Sequence, residues 1–207
     1  QTTPQETTDE LDQFATHYID LDVHGPVTIT FAGNTTVDLI DSPPRSGEQM
    51  WFAPPQDETD AQLTAVFDLT NLSSASLNFA AWYDLEEDYD YAYLSISTDN
   101  GQTWELLVPS HAQSGEFGPG FNGRSADAKD HQNGWIKEQI SLNRYAGQEV
   151  MVRFDVLTDS AVSGRGFALD DIAVPELSYA NDGESSSPEW AANGFVQIGW
   201  QLPQLWA

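Results

Sequence analysis

Apolar and polar residues alternate along most of the chain, and the alternation is clearest in residues 76–83 and 91–97. A period of two residues is typical of a β-strand with one buried face, so both segments are predicted to be strands of a hairpin joined by an acidic loop. Phe79 and Tyr83 share one face of the first strand, whereas Trp82 lies on the other. If the core packs on the Phe79 face, Trp82 is expected outside the core or under a loop.

Short alternating segments of the same kind recur along the chain, and turn-forming residues separate them. Almost no segment shows the periodicity of an amphipathic helix. The pattern therefore predicts an all-β protein, an antiparallel β-sandwich of about ten short strands. The predicted strands cover residues 27–31, 50–52, 61–67, 76–83, 91–97, 135–140, 150–156, 166–174 and 195–198.

Residues 1–14 are rich in glutamine, threonine and acidic side chains and are predicted to be a flexible N-terminal segment. They lack the apolar stretch of a signal peptide, so we expect a mature or trimmed N-terminus. Strand patterns extend almost to the other end of the chain. Residues 15–207 are therefore predicted to form a single β-sandwich domain.

The composition excludes several classes of partner and site. The chain has 33 Asp and Glu residues against seven Lys and Arg residues, a net charge of −26. Such a charge repels phosphate, so neither nucleic acid nor an anionic membrane surface is expected as a partner. No apolar run is long enough to span a membrane. The chain has no cysteine, which excludes disulfides and a cysteine nucleophile, and it has no H-E-x-x-H zinc motif.

Two acidic stretches are candidate metal ligands. The strand predicted at residues 166–174 changes its apolar face at Asp170 and Asp171, and a β-bulge there would explain the change. A bulge can turn two adjacent carboxylates toward one point, and calcium prefers six to eight hard oxygen ligands. A pair of surface aspartates is an equally good interpretation. The acidic residues between 84 and 90 could complete such a site, hold a site of their own, or form a solvated loop.

Residues 97–104 match the pattern S-x-D-x-G-x-x-W, and we interpret this pattern as structural. The aspartate side chain can bond to the amides of a tight turn while the tryptophan packs beneath it. The seven Trp and seven Tyr residues of the chain could also supply a platform for stacking sugars. Such residues more often build the core.

Several stretches together resemble a known family. They are GPVTITFAG, SGEQMWF, LNFAAWYDLEEDYDYAYLSISTDNGQTWELL, SLNRYAGQEVMVRFDVLTDSAV, GFALDDIAV and NGFVQIGWQLPQLWA. They resemble, over residues 18–206, the C-terminal non-catalytic β-sandwich region of immune inhibitor A-type secreted bacterial metallopeptidases, which is a MAM-like jelly roll. The W-Y-D-x-E and L-D-D-I runs are the most specific parts of this resemblance.

The resemblance implies a secreted, extracellular accessory domain of the jelly-roll type that is not an enzyme. In the family, the zinc protease domain with its H-E-x-x-H motif lies N-terminal to this region. Jelly rolls of this kind often hold a structural calcium ion near the final Asp-Asp strand. Matching that pattern implies Asp170 and Asp171 as calcium ligands, with Glu86 and Asp90 as their partners. The expected role is to engage a protein or glycan surface or to brace a protease domain of the same polypeptide.

Three alternative functions make different structural predictions. A carbohydrate-binding module predicts exposed coplanar aromatic rings on one sheet or in the 108–134 loop, where Phe117 and Phe121 lie. A glycosidase or diverged hydrolase predicts a cleft with two carboxylates about 5–10 Å apart. A structural spacer predicts neither feature.

Overall fold

β-strands form nearly all of the regular structure in this computed structural model, which describes residues 6–11, 15–22 and 24–206. The chain divides into two units, residues 1–34 and 35–207. The strands, all in the second unit, are β1 (Thr36–Asp38), β2 (Met50–Ala53), β3 (Asp60–Asp68), β4 (Ser76–Asp84), β5 (Tyr91–Ser97), β6 (Glu105–Leu107), β7 (Gln113–Gly115), β8 (Gly118–Gly120), β9 (Ile136–Ser141), β10 (Glu149–Leu157), β11 (Gly166–Val174), β12 (Tyr179–Asn181), β13 (Trp190–Asn193), β14 (Val196–Ile198) and β15 (Gln201–Pro203). Single turns of 3-10 helix cover Ser125–Asp127, Asn143–Tyr145 and Pro175–Leu177.

The prediction of a strand at residues 27–31 is wrong. These residues are exposed, and they are not assigned to a strand. An alternating segment becomes a strand only when a neighbouring strand supplies hydrogen bonds and covers its apolar face. The flexible segment predicted at residues 1–14 includes residues 1–5 and 12–14, which lie outside the described residues. Its flexibility, and the predicted domain boundary at residue 15, stay predictions.

Two antiparallel sheets pack face to face in the second unit. Sheet I has the strand order β13-β3-β10-β5-β6, and sheet II has the order β14-β2-β11-β4-β9, with β12 beside β11. Most successive strands cross from one sheet to the other, so the central strands follow the order of a jelly roll. The all-β, antiparallel, jelly-roll β-sandwich predicted from the sequence is confirmed.

Outside the two sheets, β1 pairs with β15, so that Thr36 lies opposite Pro203 and Asp38 lies opposite Gln201. β7 and β8 form a small hairpin of their own within the loop predicted at residues 108–134. The pairing of β1 with β15 joins the beginning and the end of the second unit.

The hairpin predicted from residues 76–83 and 91–97 does not form, because β4 lies in sheet II and β5 lies in sheet I. The acidic segment between them therefore crosses from sheet II to sheet I at the ends of these two strands. The tight turn predicted within residues 97–104 does close a hairpin, between β5 and β6. Asn100 and Gly101 both have positive φ, which these two residue types accept at low cost.

The main core lies between the sheets and includes Phe79, Phe154 and Phe167. A second apolar cluster covers the outer face of sheet II, where Trp82 is only 2% exposed. Residues before β2 cover Trp82, and its indole N–H donates to Asp41 Oδ1 at 3.2 Å. Trp82 therefore lies under a loop, one of the two places predicted for it. The second cluster thus covers the middle of sheet II on its outer face, whereas Lys137 and Gln139 of β9 stay exposed.

Candidate functional site: an aromatic groove and an acidic cluster

A groove with a volume of about 530 Å³ lies on the outer face of sheet I. The alternation of the strands explains its lining, because even-numbered residues of β10 enter the core and odd-numbered residues point outward. Neighbouring outward residues of β5 join them in register, with Asp155 opposite Tyr93 and Arg153 opposite Ser95. We call this feature the tyrosine groove; it is lined chiefly by Tyr91, Tyr93, Trp104, Phe117, Arg153 and Asp159.

The aromatic rings of the tyrosine groove do not form a flat platform. Tyr91 and Tyr93 stack at 5.7 Å with an angle of 15° between their planes, but they are only 4% and 7% exposed. Phe117 is 67% exposed and stands at 77° to the Tyr91 ring. Phe121, the other ring considered for sugar stacking, is buried between the sheets. The two coplanar rings are therefore buried, and the exposed ring is not coplanar with them. A carbohydrate-binding module predicts rings that are both coplanar and exposed.

The β7–β8 hairpin holds the two tyrosines in place. The Tyr93 hydroxyl donates to the Phe117 carbonyl at 3.3 Å. A side chain at Gly115 would collide with the Tyr91 hydroxyl, so glycine permits the close approach of the hairpin. The hairpin thus forms one wall of the groove and places the Phe117 ring at its mouth.

Arg153 and Trp104 form the opposite end of the groove. The guanidinium carbon of Arg153 lies 4.1 Å from the centre of the Trp104 ring, within the range of a cation–π interaction. Its Nε lies 2.7 Å from Asp155 Oδ1, and the Ser95 hydroxyl donates to Asp155 Oδ2 at 3.1 Å. Burial raises the pKa of Asp155, and the Arg153 charge opposes this rise. The positive charge of Arg153 is therefore matched inside the groove.

The turn at residues 97–104 explains the position of Trp104. Asp99 accepts hydrogen bonds from the Thr103 amide at 2.9 Å and from the Ser97 hydroxyl at 2.7 Å. Hydrogen bonds from Thr103 and Ser97 lower the pKa of Asp99 to about 2. The Trp104 indole N–H donates back to the Gly101 carbonyl at 3.1 Å. The motif is structural, as predicted, and it also sets one ring face toward the groove.

An acidic cluster lies where the groove ends at Asp159. One carboxylate oxygen from each of Glu86, Asp90 and Asp159 lies within 4.8 Å of the other two. Burial and the charges of Asp159 and Asp90 raise the pKa of Glu86. Burial, together with the charges of Asp159 and Asp57, also raises the pKa of Asp90. Metal–oxygen distances of about 2.3–2.6 Å allow oxygens about 5 Å apart to share one calcium ion. The spacing of the cluster fits calcium.

The backbone around the acidic cluster is well anchored. The Asn122 side chain donates to the carbonyls of Glu86 at 3.1 Å and Asp90 at 2.8 Å. The Asp159 amide donates to Asp90 Oδ1 at 3.1 Å. The first two bonds tie the crossing segment after β4 to the loop after β8, and the third ties it to the loop after β10, so that carboxylates from distant parts of the chain are held together.

The bulge predicted in the last long strand is present. The pairing of β11 with β4 shifts between Asp170 and Ala173, and Asp171 has a φ of 50°. Asp170 is fully buried, and burial raises its pKa to about 6. Its Oδ2 accepts the Ser46 amide at 3.0 Å, while Asp171 Oδ1 accepts the Ser46 hydroxyl at 2.7 Å. Both carboxylates therefore reach one point, and that point is the loop before β2.

The four candidate ligands do not meet at one site. Asp170 pairs with Ala80 in the middle of β4, whereas Gly166 pairs with Asp84 at its end, shortly before Glu86. Four residues of strand separate these positions by about 13 Å. The expectation of a single site formed by Asp170, Asp171, Glu86 and Asp90 is therefore corrected, because Glu86 and Asp90 group with Asp159 instead. No local motif marks Asp159; only the pairing of β10 beside β5 brings it near Asp90.

In the part of the chain that the structure describes, no helix is long and apolar enough to cross a membrane. The chain is 27% identical over 157 residues to Immune inhibitor A of Bacillus thuringiensis subsp. alesti, a match that covers 74% of this chain and 21% of that protein. It is 28% identical over 160 residues to the pre-pro-metalloprotease PrtV of Vibrio cholerae serotype O1 (strain M66-2), covering 75% of this chain and 16% of that protein.

A third relative, bacillopeptidase F of Bacillus subtilis (strain 168), is 29% identical over 105 residues, which is 51% of this chain and 6% of that protein. The chain thus corresponds to a small part of each of these longer proteins. Residues 10–199 match the family model described as immune inhibitor A-like, MAM domain. Together with the jelly-roll fold, this match over most of the chain shows that the protein belongs to the immune inhibitor A-like MAM domain family.

Proposed function

We propose that this chain is a non-catalytic accessory module of a secreted bacterial metallopeptidase, and that it binds the surface of a partner through the tyrosine groove. The observation that carries the proposal is the groove itself, an aromatic-lined depression on the outer face of sheet I. Grooves with apolar walls and a few placed polar groups are the usual form of binding sites. Relatives named as a metalloprotease and as Immune inhibitor A support the accessory role.

The chemistry of the groove favours binding over catalysis. Its most buried carboxylate, Asp155, is held by Arg153 and by the Ser95 hydroxyl. A general acid must carry a proton before it donates one, and the Arg153 charge beside Asp155 favours the ionised carboxylate. This argues against the alternative of a glycosidase, and the sequence has no H-E-x-x-H motif for zinc-dependent proteolysis.

Calcium is part of the proposal as a structural ion. Glu86, Asp90 and Asp159 would hold it, since their oxygens have the required spacing. A bound calcium ion supplies positive charge that offsets the repulsion among the three carboxylates. Asp170 and Asp171 are a second candidate position, although both oxygens of Asp170 already accept backbone amides, from Ser46 and Asp171. Either ion would fasten a loop to the sandwich rather than take part in a reaction.

The groove is tested by exposing the purified protein to arrays of oligosaccharides and of peptides. Tyr89 and Phe117 both line the groove and are largely exposed, so replacing them with alanine removes contact surface without opening the core. Val66 is also exposed, but it lies outside the groove lining on another part of β3.

We expect binding to at least one class of probe, and we expect it to weaken in Tyr89→Ala and Phe117→Ala while Val66→Ala binds as the wild type does. Binding that Val66→Ala weakens equally, or the absence of binding to every probe, would overturn the proposal.

A further inference from the structure

The rings of the tyrosine groove suit an inserted side chain better than a flat sugar ring. Sugars stack on broad exposed ring faces, but the stacked pair Tyr91 and Tyr93 is almost wholly buried. Only narrow parts of these two rings reach the groove, and Phe117 adds a ring at a steep angle. Walls set at different angles surround a narrow object, such as an extended side chain, on several sides.

The charges around the groove are almost entirely negative. Asp60 and Asp159 line it, and both are exposed. Asp88 and Glu116 lie near Tyr91, because their charges add to burial in raising the pKa of its hydroxyl. The cation in the lining, Arg153, is already matched by Asp155. Even with a divalent ion in the acidic cluster, Asp60 and Glu116 keep the groove attractive to a positive charge.

The groove already contains an example of the contact that a cation would make. Arg153 lies over the Trp104 ring with a carboxylate beside it. Aromatic faces attract cations through their quadrupole, and a neighbouring carboxylate adds a direct charge interaction. The free part of the groove offers the same components, with Phe117 as the exposed ring and Asp60 as the exposed carboxylate.

From this geometry we infer that the tyrosine groove receives an arginine or lysine side chain presented by a basic segment of another polypeptide. The inference rests on the proposed binding function and names its partner. The side chain would lie against the Phe117 ring, with its charged end toward Asp60. The partner is thus a protein with an exposed basic segment rather than a neutral glycan.

The test uses two capped pentapeptides, Ac-Gly-Gly-Arg-Gly-Gly-NH2 and the same peptide with neutral citrulline in place of arginine. Each is titrated into the ¹⁵N-labelled protein at about 0.15 M salt, which screens long-range attraction. The signals observed are the Trp104 indole N–H and the amides of Tyr91 and Phe117. Chitohexaose and cellohexaose serve as neutral glycan probes.

We expect the arginine peptide to shift the groove signals with saturation and the citrulline peptide to leave them nearly unchanged. Asp60→Asn and Phe117→Ala should each weaken arginine binding by about two- to fivefold, because each removes one charge or ring contact. Glu149→Gln is the matched control, since Glu149 lies on the same outer face at the other end of β10.

Equal shifts from the citrulline peptide, or an equal loss in Glu149→Gln, would overturn the inference. If a neutral hexasaccharide shifts the groove signals and the arginine peptide does not, the cationic partner is wrong while the binding function stands. If no probe shifts them, the inference falls, and the arrays described above decide whether the binding function falls with it.

Discussion

His111 shows how single side chains hold loops to this sandwich. Its Nδ1 lies 2.7 Å from Glu138 Oε1 and its Nε2 lies 2.8 Å from Asp130 Oδ1. The buried Glu138 also accepts the amides of Ser110 and His111, both at 2.8 Å. The imidazole therefore joins strand β9 to two parts of the segment that precedes it, at residues 111 and 130. Burial lowers the pKa of His111, but hydrogen bonds and charges from Asp130 and Glu138 outweigh it and raise the pKa overall.

A raised histidine pKa makes stability depend on pH in one direction. The folded protein holds the proton more tightly than the unfolded chain, so the His111 contribution is fully present below the unfolded pKa of about 6.5. It is lost as pH rises through the higher pKa of the folded state. We expect the thermal unfolding of the wild type, measured between pH 5 and pH 9, to show this loss of stability as pH rises. His111→Gln should lack that part of the pH dependence.

His111→Gln should also be less stable at pH 5 by about 1–3 kcal/mol, because the buried Glu138 loses a charged donor. His24→Gln is the control, since the His24 side chain is 94% exposed and its ion-pair partner is Asp22. Parallel pH profiles of wild type and His111→Gln would rule out the contribution of this side chain.

Phe79 and Trp82 test the burial of the two faces of β4. Phe79 packs between the sheets, and Trp82 packs in the second cluster and donates to Asp41. Replacing either by alanine should lower the free energy of unfolding by about 3–5 kcal/mol, measured by urea denaturation. Tyr89→Ala, at an exposed ring, should change it by about 0.5 kcal/mol or less. A Trp82→Ala loss as small as that of Tyr89→Ala would show that the outer cluster contributes little.

At the scale of elements, the acidic segment between β4 and β5 connects the two sheets. Glu86 and Asp90 belong to this crossing, and Asp159 follows β10 of sheet I. A calcium ion held by all three would join the crossing to the end of that strand. An ion that binds only the folded state stabilises it by about 2.7 kcal/mol at a hundredfold excess over its Kd.

We therefore expect the melting temperature to rise with millimolar calcium and to fall with chelator. Asp90→Asn should abolish the difference, and Glu149→Gln, on the far end of β10, should preserve it. If Asp170→Asn abolishes the difference and Asp90→Asn does not, the ion lies at the β11 bulge instead. A wild-type melting temperature that calcium and chelator leave unchanged would contradict both positions.

The sequence predicts the elements of this fold better than their pairing. The parity switch at Asp170 and Asp171 reveals the β11 bulge, because alternation is a local property of one strand. The strands that pair with β4 depend on the topology of the whole sandwich. The local pattern predicts that β4 pairs with β5, whereas in the structure it pairs with β11 and β9. Asp159 was missed for the same reason, since a residue in a loop joins a site only through the strand order.

The pattern of apolar and polar residues also cannot predict what covers the outer face of sheet I. Tyr91 and Tyr93 alternate with Ala92 as a surface face should, yet the β7–β8 hairpin covers them. The alternation correctly places them away from the main core. Whether such a face meets solvent, a hairpin or a partner depends on chain segments far away in the sequence.

For the whole molecule, the proposed role predicts an absence of proteolysis. The chain has no H-E-x-x-H motif, and the cluster of Glu86, Asp90 and Asp159 contains carboxylates and no histidine. Purified protein should leave casein intact over hours, with or without added zinc, as followed by gel electrophoresis. Cleavage that a chelator stops and zinc restores would contradict the non-catalytic assignment.

The pairing of β1 with β15 has a mechanical consequence. Thr36 lies opposite Pro203, so tension applied at residues 35 and 204 pulls on two neighbouring ends of one antiparallel ribbon. Such a load acts on the ribbon's hydrogen bonds one after another, as in unzipping, and not on all of them together. The ribbon should therefore open at low force and lengthen the connection to flanking segments before the two sheets carry any load. The tyrosine groove and the acidic cluster would stay folded while the segments released from the ribbon extend.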